Sequence, residues 1–242
     1  MIIPSFIYFD LDNTLVDHDE ALRVALRQLC MRMPGWLERR SFAEIHTEFQ
    51  AINGELWDAY GAGRITPEGL RRERSLRLAR YCDPEARTHA VDRITEEYVE
   101  LYIASTRPIE WAAETIMTLA DSYRLGIVSN GFAQWQRRKL MIAGIDRYFD
   151  AVVLSEEISS LKPDRVIFQS AIRSAGCDAD RIVFVGDSYR HDIIGAAQAG
   201  MSTVWFNPRH GQIPHDNGGI EPDAMISSLR QLLSLFPRTI SE

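Results

Sequence analysis

The sequence predicts an α/β fold: a parallel sheet with helices on both faces, interrupted after its first strand by an all-helical insert. Three observations predict it. From about residue 108 onward, short and nearly continuous apolar runs alternate with helix-forming stretches, as expected of strands buried on both faces. A run of the same kind, Ser5-Phe6-Ile7-Tyr8-Phe9, stands alone near the start. Between them, residues 17–107 contain almost no β-branched runs and read as helices.

The elements follow in order. Residues 5–9 form the first strand and deliver two carboxylates, Asp10 and Asp12. The spacing predicts a helix over 17–33 and a second over 41–60, with Ile45, Phe49, Ile52, Leu56 and Trp57 as its apolar positions. Thr66-Pro67-Glu68 opens a third, with a hydroxyl cap and a proline in the first turn, and a fourth follows Pro84. Pro108 marks the return to the sheet, giving a core of residues 1–16 and 108–242 around an insert of 17–107. Strands are then expected at 125–129, 151–154, 181–185 and 202–206. Helices are expected at 133–143, 164–175 and 193–199, stopped by Gly144, Gly176 and Gly200. Residues 207–222 read as a long surface loop.

Composition narrows the function. The 242 residues are 45% hydrophobic and 25% charged, ordinary for a soluble globular protein, with a net charge of −7. That balance argues against a nucleic-acid polymer as partner, which would demand a basic face. The apolar start is broken by Asp10 and Asp12 before it could span a membrane, and neither a basic leader nor a cleavage site follows. Cys30, Cys82 and Cys177 are odd in number and lack C-x-x-C spacing, which fits free thiols in a reducing cytoplasm.

The chemistry-bearing residues lie where the predicted strands end. Two like charges at the mouth of a hydrophobic strand resist desolvation, and a hard divalent cation is their natural compensator; a turn or helix cap is the alternative for this segment alone. The strand at 125–129 ends in Ser129-Asn130-Gly131. Lys162-Pro163 precedes the helix at 164–175. The strand at 181–185 runs into Gly186-Asp187-Ser188, with Asp192 five residues after Asp187. In parallel sheets ligands bind at the carboxyl ends of strands, so these groups converge on one crevice.

In this order the residues resemble the haloacid dehalogenase superfamily of hydrolases. Asp10-Leu11-Asp12-Asn13-Thr14 is similar to its first motif, Ser129 to its second, Lys162 to its third, and Gly186-Asp187-Ser188 with Asp192 to its fourth. The likeness covers essentially the whole chain, and the insert resembles the C1-type helical cap on a Rossmann-like core. It implies Asp10 as a nucleophile forming an aspartyl-phosphate and Asp12 as general acid and then base. Magnesium would be held by Asp10, the backbone carbonyl of Asp12, and Asp187. Thr14 would orient the first loop and, with Ser129 and Asn130, serve the phosphate site; Lys162 would balance charge, and Asp192 would orient Lys162 or a metal-bound water.

Relatives that cleave carbon–halogen bonds typically lack an aspartate at the position of Asp12, so its presence favours phosphoryl transfer. A sugar-phosphate or phosphoglycolate phosphatase, a phosphomutase, a dehalogenase and a non-catalytic binding protein remain alternatives. Within the insert, residues 53–60 and 63–66 resemble the pyrimidine 5'-nucleotidase subgroup, as do Ser129-Asn130-Gly131-Phe132 and Ser155-Glu156-Glu157. This implies a nucleoside monophosphate as the small phosphorylated partner, for a cytoplasmic monomer or small homo-oligomer. Asn53 and Trp57 share a helical face, so an amide could read a base edge while an indole stacks on it. Trp57 fits the apolar stripe with Phe49 and Leu56 equally well. The other tryptophans read as core or half-buried. His18, His46, His89, His191, His210 and His215 show no metal-ligand spacing.

Overall fold

A computed structural model describes residues 3–33, 35–86, 91–216 and 218–237. The chain divides into two compact units, Met1–His18 with Arg107–Glu242, and Asp19–Thr106. The first is built on a six-stranded, all-parallel sheet in the order β3-β2-β1-β4-β5-β6. Its strands are β1 (Phe6–Phe9), β2 (Arg124–Ser129), β3 (Ala151–Leu154), β4 (Ile182–Gly186), β5 (Ser202–Phe206) and β6 (Ala224–Ile226). Strand β1 lies at the centre and is fully buried, with Phe9 in register with Ile127 on one side and Val185 on the other.

Alternation along each strand sends side chains to two separate cores. Ile7, Phe9, Leu125, Ile127, Val183 and Val185 share one with Ile116 and Leu119 of a helix at Ala112–Ala120. Phe6, Tyr8, Val128, Ile182 and Phe184 share the other with Ile167, Phe168 and Ala171 of the helix at Arg165–Ala175. Tyr8 is wholly buried, and its hydroxyl is satisfied by donating to the Ala171 carbonyl at 2.8 Å.

The helices are α1 (His18–Arg32), α2 (Trp36–Arg39), α3 (Phe42–Gly61), α4 (Pro67–Cys82), α5 (Val91–Ala104), α6 (Ala112–Ala120), α7 (Ala133–Ala143), α8 (Ser155–Ile158), α9 (Arg165–Ala175), α10 (Gly195–Gln198) and α11 (Leu232–Leu235). In the helical unit, Ser41 and Glu44 close a capping box at the start of α3, and Thr66 caps α4 ahead of Pro67. Ile45, Phe49, Ile52 and Leu56 form the buried stripe of α3. Trp57 is half-buried and meets Tyr60 edge-on with ring centroids 5.6 Å apart. The fourth insert helix, expected to follow Pro84, does not begin there: residues 84–86 are turn and irregular chain, and α5 is described from Val91; residues 87–90, with His89, lie outside the described residues.

The structure departs from the sequence reading in several places. Trp111, expected to be buried or half-buried, is 37% exposed. It sits at φ 68 as the residue before α6, and this left-handed turn directs the ring outward, where the Arg230 guanidinium lies 4.7 Å from its centroid. Helix α6 and strand β6 extend the predicted set. The helix expected at 193–199 begins earlier, as a π-helical stretch over Tyr189–Ile194 that runs into α10. Among the described residues, no helix is long and apolar enough to cross a membrane.

Candidate active site

The site is assembled from strand ends. Asp10 follows β1 directly, and its N–H donates to the Val185 carbonyl at 2.9 Å, so the ladder holds the backbone to the last residue before the turn. The chain then reverses sharply. Asn13 adopts φ 62, and the N–H groups of Leu15 and Val16 both donate to the Leu11 carbonyl, at 2.9 and 3.0 Å. The two aspartates, only two residues apart, therefore enter different surroundings.

Asp10 faces a buried lysine. Lys162, 4% exposed, places Nζ 2.6 Å from Asp10 Oδ1 and 2.9 Å from the Val128 carbonyl, and pairs with Asp192 Oδ1 at 2.7 Å. Asn130 fixes the lysine's backbone: its Oδ1 accepts from Lys162 N at 2.7 Å and its Nδ2 donates to Lys162 O at 3.0 Å. Asp187 N donates to Thr14 Oγ1 at 3.1 Å, and that hydroxyl donates back to Asp187 Oδ1 at 3.3 Å. Asp192 Oδ2 accepts from Ser188 N at 3.0 Å and lies where a Cβ on Gly186 would meet it at 2.4 Å. Only glycine permits that approach at the end of β4.

Carboxylate oxygens of Asp10, Asp187 and Asp192 all lie within 4.8 Å of one another. Three carboxylates thus answer to one ammonium. Burial pushes the Asp10 carboxyl up to about 7, against the pull of Lys162 and with Asp192 adding to the rise. Burial, then the charges of Asp10 and Asp192, lifts Asp187 to about 8. Burial opposes the Lys162 charge, but Asp10 and Asp192 outweigh it and raise its pKa. A buried excess of hard oxygen donors fits a divalent cation such as magnesium, whose charge would restore the ionised carboxylates.

Asp12 belongs to a second cluster. Its Oδ1 takes Lys139 Nζ at 2.6 Å, its Oδ2 takes Gln136 Nε2 at 2.8 Å, and His18 Nδ1 lies 3.9 Å away. Burial opposes ionisation here too, but Lys139, His18 and the Gln136 hydrogen bond overcome it and hold the carboxyl at about 2. Gln136 Nε2 also donates to Ser129 Oγ at 2.6 Å, which joins this cluster to the end of β2.

The structure thus brings Asp10, Asp12, Thr14, Ser129, Asn130, Lys162, Asp187 and Asp192 to the carboxyl ends of β1, β2 and β4. Thr14 is fully buried, with its hydroxyl engaged by Asp187 on both its donor and acceptor sides. Asn53 and Trp57 lie in the helical unit, where Asn53 Oδ1 accepts from Arg74 Nη1 at 3.0 Å. Sequence reasoning missed Gln136, Lys139 and His18. The signal was present for two of them: Gln136 and Lys139 fall on the stripe of α7 that Trp135 and Leu140 bury, where a lysine is out of place unless it is paired.

Comparisons with known proteins identify the family. Residues 7–206 match the family described as haloacid dehalogenase-like hydrolase. The pyrimidine 5'-nucleotidase YjjG of Escherichia coli K12 is 30% identical over 96% of this chain and 97% of its own. A glyceraldehyde 3-phosphate phosphatase of Methanopyrus kandleri is 33% identical over 95% of each chain. The magnesium-bound crystal structure of the putative HAD-hydrolase YfnB from Bacillus subtilis superposes with a TM-score of 0.80 at 25% identity, covering 98% of this chain and 100% of that one. Because the family match spans residues 7–206, most of the chain and every residue of the two lysine-centred clusters, this chain belongs to the haloacid dehalogenase-like hydrolases.

Proposed function

We propose that this protein is a magnesium-dependent phosphatase of small phosphate monoesters, acting through an aspartyl-phosphate on Asp10, with pyrimidine nucleoside 5'-monophosphates as preferred substrates. The observation that carries this reading is the pairing of two aspartates with two separate lysines at the end of one strand. A nucleophile and an acid–base group can thereby work side by side without sharing one environment.

Asp10 and Asp187, with the backbone carbonyl of Asp12, would hold the cation, and Asp192 supports them through Lys162 and Ser188. When bound, the cation supplies charge neutralisation between the phosphate and these carboxylates. Asp12 is ionised in the free site and takes up a proton as the phosphate monoester binds as its monoanion. In the first step an Asp10 oxygen then forms a bond to phosphorus as the bond to the leaving oxygen breaks, and that oxygen takes the proton from Asp12. In the second, Asp12 accepts a proton from water, the water oxygen bonds to phosphorus, and Asp10 is released. The proton Asp12 gives in one half is returned in the other. Lys162 steadies Asp10, Thr14 positions Asp187, and the backbone around Ser129 and Asn130 offers donors to phosphoryl oxygens.

The presence of Asp12 supports ester hydrolysis over dehalogenation. The nucleotide preference is supported by likeness to YjjG over nearly the whole chain. Likeness to the Methanopyrus phosphatase supports a second reading, a sugar-phosphate phosphatase of the same chemistry. Three free thiols, two of them buried, suit a reducing cytoplasm. Phosphate release from UMP, dTMP, sugar phosphates and phosphoglycolate, with magnesium or with EDTA, tests the reading. Magnesium-dependent turnover selective for UMP or dTMP is expected. Turnover of sugar phosphates alone would discard the nucleotide preference, and no release from any ester would discard the phosphatase.

A further inference from the structure

A second buried lysine stands beside the acid–base carboxylate, outside the pattern by which the sequence resembles its family. Gln136 and Lys139 lie three residues apart on α7, on one face, and are 1% and 2% exposed. An ammonium at that depth needs its charge answered. The answering group is Asp12, whose two oxygens each have a donor from this helix, Lys139 Nζ at 2.6 Å and Gln136 Nε2 at 2.8 Å. Gln136 Nε2 makes its second contact to Ser129 Oγ at 2.6 Å, so the amide ties Asp12 to the end of β2. Space is reserved for it, since a Cβ on Gly131 would lie 2.3 Å from Gln136 Nε2.

We propose that Lys139, assisted by Gln136, is a positioning residue for Asp12, orienting its carboxyl group toward the leaving oxygen in the first step and toward the attacking water in the second. This role presupposes Asp12 as the acid–base group of the phosphatase outlined above. As the bond from phosphorus to the leaving oxygen breaks, the proton moves from Asp12 to that oxygen. Asp12 is left as the carboxylate whose two oxygens Lys139 and Gln136 hold. The same hold keeps the carboxylate in place to take a proton from water in the second step. Lys139 acts through Asp12.

The test compares an alkyl ester with p-nitrophenyl phosphate, whose leaving group needs no proton. The value of kcat/KM reports the steps up to the aspartyl-phosphate, where the acid acts. Lys139→Met should lower kcat/KM for the alkyl ester by about 10–100-fold and for the aryl ester by less than about threefold. Lys139→Arg should restore most of the loss. In an Asp12→Asn background, Lys139→Met should cost nothing further, read as the burst of nitrophenol. That double variant replaces the buried ion pair with neutral groups, and so serves where Lys139→Met alone fails to fold. Equal losses on both esters, or an added loss in the Asp12→Asn background, would overturn the role of Lys139 and leave the phosphatase reading standing. A wild-type protein that releases phosphate from no ester would overturn both.

Discussion

The two aspartates that leave β1 are two residues apart, and their surroundings drive them in opposite directions. Asp10 shares its lysine with Asp192 and faces Asp187, so burial wins and its carboxyl rises to about 7. Asp12 pairs with Lys139 at 2.6 Å and has an amide on its other oxygen, so attraction wins and its carboxyl falls to about 2. Asp12 is the more exposed of the two, its side chain 25% against 9% for Asp10. The larger difference is the ratio of cations to carboxylates, and the cluster in deficit is the one with the composition of a cation site. Side chains of one type, on one loop, are thereby suited to different tasks.

This contrast can be broken from either side. Asp10→Asn is expected to have the largest effect, a loss of hydrolysis on the order of 10³-fold or more with the fold intact, checked by steady-state turnover together with circular dichroism. Unchanged turnover would remove Asp10 as the nucleophile. Lys162→Met leaves Asp10, Asp187 and Asp192 without their buried cation, and should lower stability by about 3–5 kcal/mol at pH 8 in EDTA. The loss should shrink at pH 5, where the carboxyls can take up protons. Urea melts at the two pH values give the comparison.

The third effect separates the clusters by pH. Asp10 and Asp187 titrate near 7 and 8 in the folded chain against an ordinary value of 3.8. The metal-free fold therefore holds extra protons between those limits, and its stability falls as pH rises through that window. Asp12 has the opposite sign: its contribution is present above 3.8 and is lost as pH falls towards 2. Thermal melts in EDTA should show Tm falling from pH 5 to pH 8, and magnesium should raise Tm more at pH 8 than at pH 5. A magnesium increment independent of pH would count against the carboxylate cluster as its site.

The smallest effect concerns the helical unit. Trp57→Ala should raise KM for nucleotides by about tenfold, the scale of one base–aromatic stack, while sparing a small generic phosphate ester. Equal losses on both substrates would remove base stacking and return Trp57 to a packing role.

The central sheet was legible in the sequence because its strands are buried on both faces and so appear as unbroken apolar runs. The convergence of Asp10, Ser129, Lys162 and Asp187 was legible for a related reason: parallel strands all point their carboxyl ends the same way. Strand β6 escaped because it is three residues long and only one of them, Ile226, is buried. Trp111 escaped because a left-handed backbone at a non-glycine residue leaves no mark in composition. The partnership of Lys139 with Asp12 spans 127 positions, and nothing local to either residue reveals it. It could be suspected only from a lysine lying in an apolar helical stripe.

The most direct test of Asp10 as the nucleophile is a rapid acid quench of wild-type protein mixed with substrate and magnesium, followed by mass spectrometry of the peptide spanning the first loop. Phosphate carried on Asp10 in wild type, and absent from Asp10→Asn, is the predicted result. Turnover without any phosphopeptide, or a label on Asp12 instead, would contradict the division of labour between the two aspartates.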